Sequence, residues 1–248
     1  MSTKLTFSTI DQIFKFPFMY RGYEKEFATL AYSKVVIDEI QAYSPEICAV
    51  LIKGIEMIHK IGGNFMIMTA TMPAIYENEL KRRGVFDDNL ATRTFNTDII
   101  RHNVKVEDMS LDENLNQIVE QGKSKKVLVI VNTVKSAVDT YEKLKNINDN
   151  VNLNLLHSMY IQEDRVKLEN NIKEFAKNEN IGIWITTQLV EASLDVDFDV
   201  LYTEVSTLDS LFQRFGRCNR KGLKLIDSPN VFIYKKEANG IGSIYDKD

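Results

Sequence analysis

The stretch KVVIDEIQAY, Lys34 to Tyr43, runs apolar for three residues and then stops at two adjacent carboxylates, Asp38 and Glu39. A short β-branched run bounded by polar residues reads as a buried strand, and the carboxyl end of such a strand is where open α/β sheets bind ligands. Working outward, runs of the same kind recur at NFMIM (64–68), KVLVIV (126–131), LNLL (153–156), IGIWIT (181–186), DVLYTEV (199–205) and VFIY (231–234). Amphipathic stretches at 45–61, 74–83, 112–121, 134–146, 162–177 and 207–214 alternate with them. That alternation is the mark of an α/β fold with parallel sheets buried on both faces. Pro45 and Pro73 fit first helical positions, where a missing N–H costs nothing, and Gly62-Gly63 fits a helix end. The polar run from Thr92 to Asp108 breaks the pattern. It predicts a partial first domain, 1–106, with only two strands, and a complete second domain, 107–248.

Composition narrows the function. The 248 residues are 44% hydrophobic and 27% charged, as in globular proteins, and the net charge is −4. Nucleic acid therefore finds no global attraction, and any binding must come from local basic patches. No apolar run approaches the ~20 residues of a membrane span, and the N-terminus has no signal-peptide pattern. Cys48 and Cys218 are far apart and read as free thiols of a reducing cytoplasm. His59, His102 and His157 make no zinc-site spacing with them.

Three further stretches give the carboxylate pair a setting. Alone, Asp38 and Glu39 suit an ordinary solvated strand end as well as a nucleotide site in which the first acid holds Mg²⁺ and the second orients the attacking water. NFMIMTATMP ends a strand at Thr69-Ala70-Thr71, hydroxyls fit either for linking two ligand sites or for capping the helix that follows. WITTQLVEASLDVDFD ends a strand at Thr186-Thr187 and then places Asp195, Asp197 and Asp199 at every second residue; Asp197 and Asp199 read as solvent-facing. DSLFQRFGRCNRKG carries Gln213, Arg214, Arg217 and Arg220 three and four apart, on one helix face or its extension. Such arginines suit a solvated face or an arginine finger aimed at a triphosphate. Gly216 and Gly222 interrupt them as though the backbone approached something closely.

In order along the chain, TIDQ (9–12), DEIQ (38–41), TAT (69–71), VNTVKSA (131–137), LLHS (155–158), TTQLVEASLDVD (186–197) and QRFGRCNR (213–220) resemble motifs Ib to VI of superfamily 2 helicases. The wording of DEIQAYSPEI, TQLVEASLDVDFD and FQRFGRCNRKG most resembles the CRISPR-associated helicase–nuclease of type I systems. The resemblance implies two RecA-like domains, with ATP in the cleft between them and single-stranded DNA across both. By position it gives Asp38 the Mg²⁺, held through water, and Glu39 the water-activating role. Gln41 couples ATP to the second domain, Thr69 and Thr71 couple the nucleotide and DNA sites, and Asp195 and Gln213 meet the nucleotide. Arg217 and Arg220 become finger candidates. Thr9, Asn132, Thr133, His157, Ser158, Thr187 and Gln188 become DNA-backbone contacts. It also implies a CRISPR effector complex of the Cascade type as partner, cytoplasmic location and no membrane.

The pattern departs from the family at its front. No G-x-x-x-x-G-K-[ST] precedes Thr9, and Gly122-Lys123-Ser124 lacks the upstream glycine and precedes a strand instead of following one. The expectation is a motor portion whose phosphate cradle, together with an HD nuclease domain, comes from a separate N-terminal polypeptide or a longer gene product. Alone it would bind ATP weakly, and Asn64–Met68 would present a bare edge inviting a partner or self-association. The alternative is a non-catalytic fragment that binds nucleic acid or the effector complex.

Overall fold

A computed structural model describes residues 5–69, 72–86, 93, 98–147, 150–191 and 194–240. The chain divides into two compact units, Met1–Asn96 and Thr97–Asp248. The division lies upstream of the boundary expected near 106, because Val104–Glu107 is a strand of the second unit, paired in parallel with Val231–Tyr234. Its sequence, VKVE, has too few apolar residues to announce a strand.

In the first unit α1 (Ile10–Ile13) and α2 (Tyr23–Ala31) precede β1 (Lys34–Asp38), α3 (Pro45–Lys60), β2 (Asn64–Met68) and α4 (Ala74–Arg82). Neither α1 nor α2 is among the expected helices; within them only Leu30 is buried, so no apolar stripe marks them. Pro45 opens α3 as expected, whereas Pro73 stands one position ahead of α4. Gly62, at φ 79°, turns the chain out of α3, and the Gly63 N–H donates back to Ile58 O at 2.9 Å. Strands β1 and β2 pair in parallel as a two-stranded sheet. One face supports the α3 core, where Leu51, Ile52, Ile55 and Ile58 meet Phe14, Phe16 and Leu80. The other face does not match the expected burial on both sides: Val36, Met66 and Met68 are 54%, 50% and 45% exposed. Glu56 is buried on α3 and tied to Lys53, Lys60 and, across to the end of α4, Arg83.

The second unit contains β3 (Val104–Glu107), α5 (Leu115–Gly122), β4 (Lys126–Ile130), α6 (Val134–Ile147), β5 (Leu153–Leu156), α7 (Gln162–Lys177), β6 (Gly182–Thr186), β7 (Val200–Glu204), α8 (Leu208–Phe215) and β8 (Val231–Tyr234). The six strands form a parallel sheet in the order β3-β8-β7-β4-β6-β5. Alternate residues of β4 explain its continuous apolarity. Val127 and Val129 join the core with α5 and α6, while Leu128 and Ile130 join the one with α7 and α8. The chain leaves β4 for β5 and β6 on one side, then returns to β7 and β8 on the other. The C-terminal ends of β6, β4 and β7 therefore border a topological switch point, the crevice in which open α/β sheets hold ligands. Among the described residues no helix is long and apolar enough to cross a membrane, and both cysteines are free and buried.

Candidate functional site

In the first unit, Asp38 ends β1 with its side chain exposed. The Glu39 N–H continues the ladder by donating to Met68 O at 2.8 Å. Glu39 then takes φ 50°, ψ 53°, a left-handed conformation that costs a non-glycine residue about 1–2 kcal/mol. Ile40, fully buried, anchors the turn. The strain reverses the chain so that the Gln41 amide donates to the Glu39 carboxylate while its carbonyl accepts from Thr69 Oγ1 at 2.5 Å. Gln41 thus physically links the acid of one strand end to the first hydroxyl of the other. Thr71 lies outside the described residues. Thr9, before α1, is exposed and makes no capping hydrogen bond with its side chain.

In the second unit the sheet end is organised by Arg214, to which the sequence motifs gave no role of its own. Arg214 is fully buried. Its Nε donates to Glu191 Oε1 at 2.7 Å, one Nη to Thr203 Oγ1 at 2.7 Å and Glu204 O at 3.1 Å, the other to Asn132 Oδ1 at 3.0 Å. One guanidinium therefore fixes the ends of β4 and β7, the turn after β6, and α8 to one another. Glu191 also accepts from Ser210 Oγ at 3.1 Å. Burial pushes the Glu204 carboxyl up, against the lowering effect of the Asn132 N–H that donates to it at 2.6 Å.

Asn132, expected as a DNA contact, lies inside this arrangement. The residue is 0% exposed, its carbonyl is taken by Arg214 and its amide donates to Val205 O at 2.9 Å. Thr133 caps α6 by accepting from the Ser136 N–H at 3.0 Å. Gln188 donates to Asn132 O at 2.7 Å, and Thr187, 2% exposed, lines a cavity with Ser158 and Gln188. His157 stacks on Tyr160, ring centroids 4.3 Å apart, and burial moves its pKa down, toward the neutral imidazole. Ser158 is exposed.

Of the two expected placements for Gln213 to Arg220, one helix face or its extension, the structure takes the extension for the last two arginines. Helix α8 ends at Phe215, so Arg217 and Arg220 sit on the turn beyond it. Gln213 remains on the helix, partly exposed. Arg217 donates through Nη2 to Glu191 O at 2.7 Å, while its buried Nε has no partner among the described residues. Burial, then the neighbouring Arg220, lowers its pKa from the usual arginine value. Arg220 lies 3.3 Å from Asp195, an exposed pair. Asp197 and Asp199 are not simply solvated: Asp197 accepts from the Arg220 N–H at 2.9 Å, and Asp199 from the Lys126 N–H at 2.7 Å. Gly216 is ordinary helical backbone at φ −60°. Gly222, at φ 65°, does meet something closely, but it is this chain: a Cβ there would lie 2.2 Å from Ile99 Cγ2.

Residues 123–223 match the family model described as CRISPR-associated nuclease/helicase Cas3, C-terminal. A Cas3 nuclease/helicase of Methanothermobacter thermautotrophicus is 30% identical over 261 residues, covering 100% of this chain and 31% of that protein. The chain is a Cas3 homologue. Cas3 of Escherichia coli K12 is 30% identical over 248 residues, which cover 85% of this chain and 28% of that protein. The Cas3-like chain thus spans about a third of the length of these curated relatives. The fold is that of T. fusca Cas3, with a TM-score of 0.77 at 20% identity over 93% of this chain and 32% of that one. That protein is also solved as Cas3-ATP, Cas3-ADP and Cas3-AMPPNP. A chain of a CRISPR RNA-guided surveillance complex, pre-nicking, superposes with TM-score 0.71 at 18% identity over 94% of this chain and 35% of that one. The two parallel sheets of the Cas3-like chain are accordingly RecA-like, the first with two strands and the second with six.

Proposed function

We propose that the chain is the motor part of an ATP-dependent single-stranded DNA translocase acting in CRISPR interference, with a surveillance complex as partner. The observation that carries this reading is Arg217: a half-buried guanidinium with one nitrogen committed to Glu191 O and a buried Nε left over. A donor held this way suits a phosphate oxygen, the chemistry of an arginine finger. The acids of the first unit fit their parts. Asp38 is an exposed carboxylate, the hard oxygen donor that Mg²⁺ takes through its water shell. When bound with ATP, the ion neutralises charge on the phosphates. Glu39, held by Gln41, is oriented to accept a proton from water, and the Gln41–Thr69 link passes its position to the neighbouring strand end. A second reading is nucleic-acid binding without hydrolysis.

The deciding experiment measures ATP hydrolysis and DNA binding by the chain, alone and with a family P-loop polypeptide supplied in trans. DNA-stimulated hydrolysis is expected, lowered about 10³-fold or more by Arg217→Ala with the fold intact. DNA binding with no hydrolysis under any supplement establishes the second reading. Absence of both overturns each of them.

A further inference from the structure

Beside the sheet end lies a cavity of about 420 Å³ between the turns after β5 and β6 and the flank of α7. Ser158, Thr187, Gln188, Leu189 and Leu194 line it from outside the helix, and Arg165, Glu169 and Lys173 line it from α7. We infer that Lys173 is a contact for the phosphate backbone of single-stranded DNA, extending the strand's footprint from the sheet end onto α7. The inference rests on the reading of single-stranded DNA as substrate.

The geometry comes from the helix. Ile172 and Phe175 turn one side of α7 into the core. Arg165, Glu169 and Lys173, spaced by four, stack along another side, with successive residues about 6 Å apart along the axis. Their charges are not equivalent. Arg165 is spent on Glu169 at 2.7 Å, which leaves that pair neutral. Lys173 is partly buried at the cavity and has no ion-pair partner among the described residues. Ser158 and Thr187 line the same cavity, and their hydroxyls likewise have no hydrogen-bond partners among the described residues. Two hydroxyls and one lysine without an ion-pair partner lining the same cavity match a phosphodiester, a monoanion with several acceptor oxygens. No base-reading group is needed, as suits a strand gripped by its backbone. In a chain of net charge −4, such a local cation is what makes binding possible at all.

The test is fluorescence anisotropy of a labelled oligo-dT of about 20 nucleotides titrated with the full chain over a range of salt, a length that spans more than one typical site. Lys173→Glu is expected to weaken binding by about tenfold and to flatten the salt dependence by roughly 0.7, the value of one lost contact on a single strand. Glu169→Gln, which releases Arg165, is expected to tighten binding by about two- to threefold, so the two variants move in opposite directions. Ser158→Ala is the control for the sheet-end wall. If Ser158→Ala weakens binding while Lys173→Glu and Glu169→Gln change neither affinity nor salt slope, the strand does not reach α7 and the inference fails with the DNA reading intact. If the unaltered chain does not bind the oligonucleotide, both fail. Trp184 fluorescence, read in urea, confirms that each variant keeps the second unit folded.

Discussion

Replacing Arg214 by methionine removes the guanidinium that ties β4, β7, α8 and the turn after β6 together. The side chain is 0% exposed, and its partner Glu191 is 10% exposed. Methionine fills most of the volume, so the cost is electrostatic: a nearly buried carboxylate without its cation, plus the Asn132 carbonyl and the Thr203 oxygen without their donor. Breaking a buried pair by deleting one partner costs about 3–5 kcal/mol. Against the 5–15 kcal/mol typical of a domain, that is a large fraction. The assay is urea unfolding followed by the single tryptophan, Trp184, which lies in β6 at 2% exposure and reports the second unit specifically. With a slope of about 2 kcal/mol per molar, the midpoint should fall by about 2 M. Adding Glu191→Gln should restore about 1–2 kcal/mol by neutralising the stranded acid. Arg214→Lys should not rescue, since one ammonium cannot donate along the guanidinium's several directions. A midpoint loss worth less than about 1 kcal/mol for Arg214→Met, or full stability in Arg214→Lys, would refute this account.

Two further outcomes follow from the same packing. Glu56 is held down from 4.5 to about 2, first by Lys60, then by Arg83 and Lys53; a depressed carboxylate stabilises above its unfolded value and loses that contribution as pH falls from 4.5 toward 2. Acid should therefore weaken the first unit in that window, and Glu56→Gln should remove about 1–2 kcal/mol at neutral pH and flatten the acid loss, as read by hydrogen exchange in α3. Gly222→Ala combines a left-handed backbone with a Cβ 2.2 Å from Ile99 Cγ2, so it should cost about 2–4 kcal/mol by Trp184-monitored urea unfolding, partly recovered by Ile99→Ala.

The strands were legible where burial is complete. In β4, β6 and β7 every apolar residue meets a helix layer on one side of the sheet or the other, and an uninterrupted apolar run is the direct image of that environment. Val36, Met66 and Met68 carry the same signature yet are about half exposed among the described residues, because a run of apolar residues does not say what covers it. The candidate site residues were named from the order of the motifs, which does not tell which side chains turn inward. Asn132 and Arg217 both stand in expected positions, yet the first is consumed by the core while the second retains an unsatisfied nitrogen. Arg214 and Arg217 are the same residue type three apart; only burial tells the internal clamp from the partly exposed arginine beyond it. Glu191 gave no signal at all, since one glutamate in a turn looks like any other until its partner is placed.

The carbonyl of Arg101 accepts from the side chains of Asn219 and Asn230, both at 3.0 Å. His102 meets Cys218 O at 2.8 Å, and the Asn103 N–H donates to Asn230 Oδ1 at 2.8 Å. The few residues ahead of β3 are thus stitched beneath the arginine-bearing turn. Anyone dividing the gene to express its halves separately should leave Asp98 to Asn103 with the downstream piece. A cut made at the start of β3 would strand two buried asparagines and loosen the loop that presents Arg217 and Arg220.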